Sequence, residues 1–229
     1  MMLEERSVKI LNAAVESFIA RGEPVSSQWL YEHYRFGIKP AMIRHELETL
    51  TEGGYLEQPY HSAGRIPCDK GFEFFAHWLL GERQTEAQEA DKVLRVLFER
   101  HAWDDLLSGL ADELGVLGGF GNARGEIAKE GLECLMENFF WETREDVEQV
   151  IRDFVGLDER LGSVVERWEG EPLQVFVGRR SPLTKSEGLA VVMGKYRVQG
   201  NDVVVCTIGP KRMNYRRVIH VMRNMGTNE

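Results

Sequence analysis

One short amphipathic segment carries side chains suited to reading nucleic acid. Lys39, Ala41, Met42, Arg44, His45 and Glu48 fall beside an apolar stripe of Ile43, Leu47 and Leu50, whose spacing is helical. Turned away from that stripe, Lys39 and Arg44 can reach phosphates or a guanine. His45 can donate to a base edge, and Met42 can touch a thymine methyl. A turn-rich stretch further along adds His61, Ser62 and Arg65. Residues 33–45 and 60–70 together hold five Lys/Arg against one acid, Asp69. In a helix-turn-helix the second helix lies in the major groove and presents such outward side chains to base edges and phosphates. A plainer reading stays open, in which the arginines are a solvated face of a protein-interaction module.

Other chemistry has weaker support. Gly119-x-Gly121-x-x-x-Gly125 fits neither a phosphate loop nor a dinucleotide fingerprint, and reads as a turn. The six histidines (33, 45, 61, 77, 101 and 220) form no H-x-x-x-H pair, and His77 is expected to flank a core around Phe72 and Phe75. Ser181 and Ser186 lack a nucleophile elbow and read as loop residues around Pro182. Cys68, Cys134 and Cys206 lie far apart with no C-x-x-C pair, as in a reducing cytoplasm. No metal, cofactor or enzymatic activity is expected.

The elements that must position the basic residues follow from apolar period and punctuation. Val8, Leu11, Val15 and Phe18 predict a helix over 4–20, ended by Arg21-Gly22-Glu23-Pro24. Ser26 or Ser27 can cap a second helix near 27–34, with Leu30, Tyr31 and Tyr34 as its inner face. A third helix opens at Pro40 and stops at Gly53-Gly54. Tyr55 to Gln58 and Arg65 to Pro67 flank a turn, and a further helix starts at Asp69. Three helices followed by a hairpin is the order of a winged helix, here residues 1–80. Residues 81–102 read as a connecting helix or linker. Residues 103–229 read as an α+β domain. It has a helix at 103–114, a strand at 116–120, a mostly helical stretch at 126–168, three closing strands and a last helix near 214–225. The consecutive aromatics Phe139, Phe140 and Trp141 cannot share one helix face, and divide between core and interface.

Charge has to be read by region. The 229 residues are 43% hydrophobic and 28% charged, ordinary for a globular chain, with a net charge of −9. Residues 1–80 hold 8 Lys+Arg and 11 Asp+Glu, residues 81–193 hold 13 and 24, and residues 194–229 hold 7 and 2. The acid sits in the middle, so a basic face at the N-terminal elements can still meet DNA. The C-terminal cations Lys211, Arg212, Arg216, Arg217 and Arg223 read either as an exposed helix face or as a contact for a partner subunit's acidic region or for DNA. The start of the chain has no apolar signal-peptide core, and no apolar run reaches the roughly 18 residues of a membrane span, so a cytoplasmic location is expected.

Longer motifs sharpen the reading. Gly22-Glu23-Pro24-Val25-Ser26-Ser27, Ala41-Met42-Ile43-Arg44, Gly54-Tyr55-Leu56-Glu57-Gln58-Pro59, Ser62-Ala63-Gly64-Arg65-Ile66-Pro67 and Asp69-Lys70-Gly71-Phe72 resemble the HrcA family of heat-inducible transcription repressors. A second match, Ile208 to Ile219, resembles the closing segment of that family's GAF-like domain, and Glu130 to Phe139 is a weaker one. The resemblance implies a winged helix-turn-helix followed by a GAF-like dimerisation and regulatory domain. It implies a homodimer on double-stranded DNA at an inverted-repeat operator of chaperone genes, with the GroEL chaperonin as a further partner. It carries the DNA-binding role to Ser26, Ser27, Lys39, Ala41, Met42, Arg44, His45, His61, Ser62 and Arg65. Two departures matter. Lys39, Met42 and His45 stand where the family has Ser, Thr and Asn, which alters the operator expected. The chain is also shorter than family members between Phe120 and Glu126, so the GAF-like sheet is expected to keep about four strands with flanking helices. A ligand-responsive regulator with a small effector, and an interaction module without DNA binding, remain the alternatives.

Overall fold

The computed structural model describes residues 3–82, 89–139 and 143–226, and divides into two compact units, Met1–Trp78 and Leu79–Glu229. Phe140 and Trp141 lie outside the described residues, as does much of the polar stretch after Gly81.

The first unit is built on α1 (Glu5–Arg21), α2 (Ser27–His33) and α3 (Pro40–Glu52). α1 buries Ile10, Leu11, Ala14 and Val15, and ends where Gly22 takes φ +73° and returns its N–H to Phe18 O. Ser26 Oγ accepts from Trp29 N at 3.1 Å and so caps α2. α3 has Pro40 in its first turn and buries Ile43, Leu47 and Leu50, each contributing about 1.5–3 kcal/mol. The buried Glu46 clamps α3 to α1 by accepting from Arg6 Nε at 2.7 Å and Ser7 Oγ at 2.8 Å. Strands β1 (Leu56–Glu57) and β2 (Ile66–Pro67) pair antiparallel, and Val25 and Arg65 exchange two backbone hydrogen bonds of 2.8 Å as a further rung. Helix α4 (Asp69–Gly81) follows.

Two inner-face expectations fail here. Tyr31 is 48% exposed, because it lies one residue, and so about 100° of helix turn, from the buried Leu30. His77 is also exposed, its Nδ1 2.7 Å from Glu73 O, on the side of α4 away from Phe72 and Phe75.

The second unit holds α5 (Glu89–Glu99), α6 (Trp103–Leu114), β3 (Leu117–Asn122), β4 (Ile127–Glu130), α7 (Leu132–Asn138), α8 (Arg144–Val155) and α9 (Leu157–Arg167). It continues through β5 (Leu173–Val177), β6 (Leu189–Val198), β7 (Asn201–Pro210) and α10 (Tyr215–Gly226). Its sheet is antiparallel in the order β4-β3-β7-β6-β5, five strands where about four were expected. The added strand is β4, read from sequence as the start of a helical stretch. Asn122 Oδ1 accepts from Arg124 N and Glu126 N at 2.9 and 3.1 Å, and Gly125 takes φ +81°, so the chain turns back on β3. An edge strand of four partly exposed residues lacks the alternation that marks a strand in sequence.

Helices cover both faces, so β6 and β7 read as near-continuous apolar runs. Leu117, Val204, Cys206 and Ile208 pack toward Leu135, Val150, Leu157 and Leu161 of α7–α9. On the other face Phe120 stacks on Trp103 at 4.1 Å, and Tyr196 Oη donates to Met222 O at 2.7 Å. The glycine-rich segment is mostly strand and only partly turn. A Cβ at Gly119 or Gly121 would meet Leu161 at 3.5 and 3.2 Å, so these glycines let α9 approach β3.

Ser181 and Ser186 lie in the loop around Pro182, as the sequence suggests, and both are buried there. Ser181 Oγ accepts from the N–H groups of Leu183 and Thr184, and Ser186 N donates to the buried Asp153 at 3.0 Å. The C-terminal cations largely serve their own unit. Arg217 pairs with Asp91 at 2.6 Å and Glu113 at 2.7 Å, and Arg223 donates to the carbonyls of Leu80 and Glu82. Among the described residues no helix is long and apolar enough to cross a membrane.

Candidate nucleic-acid interface

Lys39, Ala41, Met42, Arg44, His45 and Glu48 are all exposed along α3. Burial of Ile43, Leu47 and Leu50 on the opposite side leaves them no other orientation. Met42 is 44% exposed, an apolar side chain with no core to fill. Lys39 occupies the N-cap position of α3, where its ammonium, which only donates, cannot accept from the helix N–H groups.

The hairpin comes up beside this face. A cleft of about 440 Å³ lies between the start of α2, the middle of α3 and the hairpin tip. Six of the sequence-predicted residues line it: Ser26, Ser27, Arg44, His61, Ser62 and Arg65. The other four, Lys39, Ala41, Met42 and His45, lie on α3 outside it. Two arginines and three serines thus line one concavity beside the Glu48 carboxylate, and the arginines are donors suited to phosphate oxygens and base acceptors.

Several supporting residues had no clear signal in the sequence. Gln58 Nε2 donates to the carbonyls of His61 and Ala63, both at 2.9 Å, and shapes the hairpin tip. Thr51 Oγ1 accepts from Arg65 Nε at 3.0 Å. Gly64 packs against the Val25 backbone, where a Cβ would sit 2.5 Å from the carbonyl carbon. Lys70 contributes to the basic count without joining the cleft. It donates to Gly53 O at 2.7 Å and lies 4.0 Å above the Tyr55 ring, closing the end of α3. Among the described residues no cluster of His, Cys, Asp and Glu could hold a metal ion.

Fold and site together define a two-unit α+β protein. A helix-and-hairpin unit presents the cleft, and an antiparallel-sheet unit follows it. Residues 73–219, more than half of the chain, match the HrcA protein C terminal domain, and the chain belongs to the HrcA family. It is 39% identical over 104 residues to the heat-inducible transcription repressor HrcA of Pelotomaculum thermopropionicum, covering 45% of this chain and 30% of that protein. It is 44% identical over 106 residues to the protein of the same name from a Parafrankia species, covering 46% and 31%. Each match thus spans less than a third of the relative's length. These relatives are named as transcription repressors and not as enzymes. A crystal structure of a hypothetical protein, at 2.2 Å resolution, shares the fold with a TM-score of 0.79 at 20% identity, over 98% of this chain and 96% of that one.

Proposed function

We propose that this chain is a sequence-specific DNA-binding transcription repressor of heat-shock genes, acting as a homodimer on an inverted repeat. Residues 1–80 form a winged helix-turn-helix in this reading, with α3 as recognition helix and β1–β2 as wing. Residues 81–102 connect it to a reduced GAF-like domain, 103–229, for dimerisation, regulation and contact with a chaperonin such as GroEL. The observation that carries the reading is the cleft, where Arg44 of the exposed α3 face meets Ser26, Ser27 and the hairpin residues His61, Ser62 and Arg65. Arg44, His45, Met42 and Ala41 then face base edges, while Ser26, Ser27, Lys39 and Arg65 mainly hold the phosphate backbone. The relatives' names support repression.

Selection from a random duplex library tests this. An enriched inverted repeat with half-sites roughly 34–36 Å apart, or a multiple of that, is the expected result. Arg44→Ala should then weaken binding by about 1–3 kcal/mol if it reads a base, or lower the salt slope by about one if it touches phosphate. A library that returns no enriched sequence would sink the proposal.

One observation favours a second reading, a ligand-responsive regulator. A cavity of about 570 Å³ between α9 and the β5 side of the sheet is lined by Arg160, Arg167, Trp168, Phe176 and Met193, within the size range of small-molecule sites. Thermal stabilisation by a member of a metabolite panel would support it.

A further inference from the structure

We propose that Glu48 reads a base, selecting cytosine in each half-site, while Arg44 one turn earlier reads a nearby guanine. This rests on the DNA-binding reading and adds a specificity that the cationic residues alone do not carry. Glu48 is the single carboxylate among the residues lining the cleft, which holds Arg44 and Arg65 as well. It is exposed, and it sits four residues after Arg44, on the same side of α3.

The two charges do not neutralise each other. Elsewhere in the chain the same Arg-to-Glu spacing closes into ion pairs, at Arg95–Glu99 and Arg144–Glu148, both at 2.9 Å. Among the described residues neither the Arg44 nor the Glu48 side chain has a hydrogen-bond or ion-pair partner. Both heads are therefore available to a ligand. Arg65 is less free, since its Nε is held by Thr51.

The chemistry of a carboxylate then narrows the ligand. An ionised carboxylate only accepts hydrogen bonds, so it is repelled by phosphate oxygens and by the acceptor edges of guanine and thymine. Two major-groove groups remain, the exocyclic amines of cytosine and adenine. Adenine sets its N7 acceptor beside its amine, whereas cytosine offers the N4 donor without a neighbouring acceptor. Arginine has the opposite preference and matches the paired acceptors of guanine. Four residues of helix rise about 6 Å, close to two base-pair steps of roughly 3.4 Å, so both residues can read within one half-site.

The test is duplex selection repeated with the wild type, Glu48→Gln and Glu48→Ala, with binding to a generic duplex measured across salt concentrations. Both variants change an exposed side chain, and circular dichroism checks that they stay folded. The wild type should return cytosine at one position of each half-site. Glu48→Gln should move that position toward adenine, and Glu48→Ala should reduce its discrimination by about tenfold or more. Glu48→Ala should also bind the generic duplex more tightly with an unchanged salt slope, because no phosphate contact is lost. Identical base preferences in all three proteins, on an enriched repeat, would overturn the role of Glu48 and leave DNA binding standing. No duplex retained by any of the three would overturn the DNA-binding reading, and this inference with it.

Discussion

Arg65 and Thr51 join the hairpin to the end of α3. Arg65 Nε donates to Thr51 Oγ1 at 3.0 Å, and Thr51 Oγ1 in turn donates to Leu47 O at 2.8 Å. The backbone of Arg65 is meanwhile occupied with Val25. One residue therefore holds the hairpin to two other elements of the unit, the start of α2 and the last turns of α3.

Thr51→Val keeps the shape of the side chain and removes the acceptor. Unfolding of the first unit should become easier by about 1 kcal/mol, read from the denaturant midpoint. Affinity for the selected duplex should fall several-fold, because the hairpin is less well oriented. A midpoint equal to that of the wild type would mean that this hydrogen bond does not hold the hairpin. Arg65→Ala should additionally lower the salt slope by about one.

Gly64→Ala tests the hairpin from the opposite side. Its new Cβ would lie 2.5 Å from the backbone of Val25, a clash with main chain that cannot rotate away. The Val25–Arg65 rung should open, and duplex affinity should drop by tenfold or more. The melting of the sheet unit should stay where it is. Full affinity in this variant would show that the rung is dispensable.

In the sheet unit the corresponding clamp is Asp91. Its side chain is 1% exposed and accepts from Arg217 Nη1 at 2.6 Å, with His220 Nε2 3.0 Å away. Asp91→Ala leaves the guanidinium, itself only 15% exposed, with Glu113 as its remaining counter-charge between α6 and α10. A loss of about 1–3 kcal/mol is expected, measured by thermal or denaturant unfolding. A variant as stable as the wild type would mean that the pair contributes nothing.

Cys206 should be chemically silent in the folded protein. Burial pushes its thiol up to about 12, only partly opposed by a backbone hydrogen bond from Gly119. Thiol titration with a disulfide reagent should label the partly exposed Cys68 and Cys134, and reach Cys206 only on unfolding. The sign of the pH effect follows. A thiol pKa raised by folding contributes stability that is complete below the unfolded value of 9.0 and is lost as pH rises from there toward 12. Burial raises the Tyr196 phenol in the same direction. Cys206→Ala should therefore flatten part of the alkaline loss, and a slope unchanged between pH 9 and 12 would contradict the shift.

Much of the first unit was legible in residue types. Apolar spacing gave α1 and α3, Gly22 and Ser26 marked a helix end and start, and the outward face of α3 followed from its buried stripe. The tip residues His61, Ser62 and Arg65 could be named, but not the contacts that bring them to Arg44. Those contacts run through Gln58, which ties the hairpin tip to itself, and through Thr51 and Gly64, whose roles depend on partners distant in sequence. The second unit was harder. β4 has no alternation, and the Gly119 and Gly121 positions are explained only by the closeness of α9.

The sequence by itself determined where the first three helices begin and end and which face of α3 turns to solvent, because these depend on local period and capping chemistry. Tertiary structure alone decided the fate of each charge. Arg217 and Arg223 are engaged within their own unit, Lys70 closes a helix end, and Glu46 is buried as a clamp. Arg44 and Glu48 stay open at the cleft. Charges of the same type differ in role here because the partners available to each are set by packing between segments far apart in the chain.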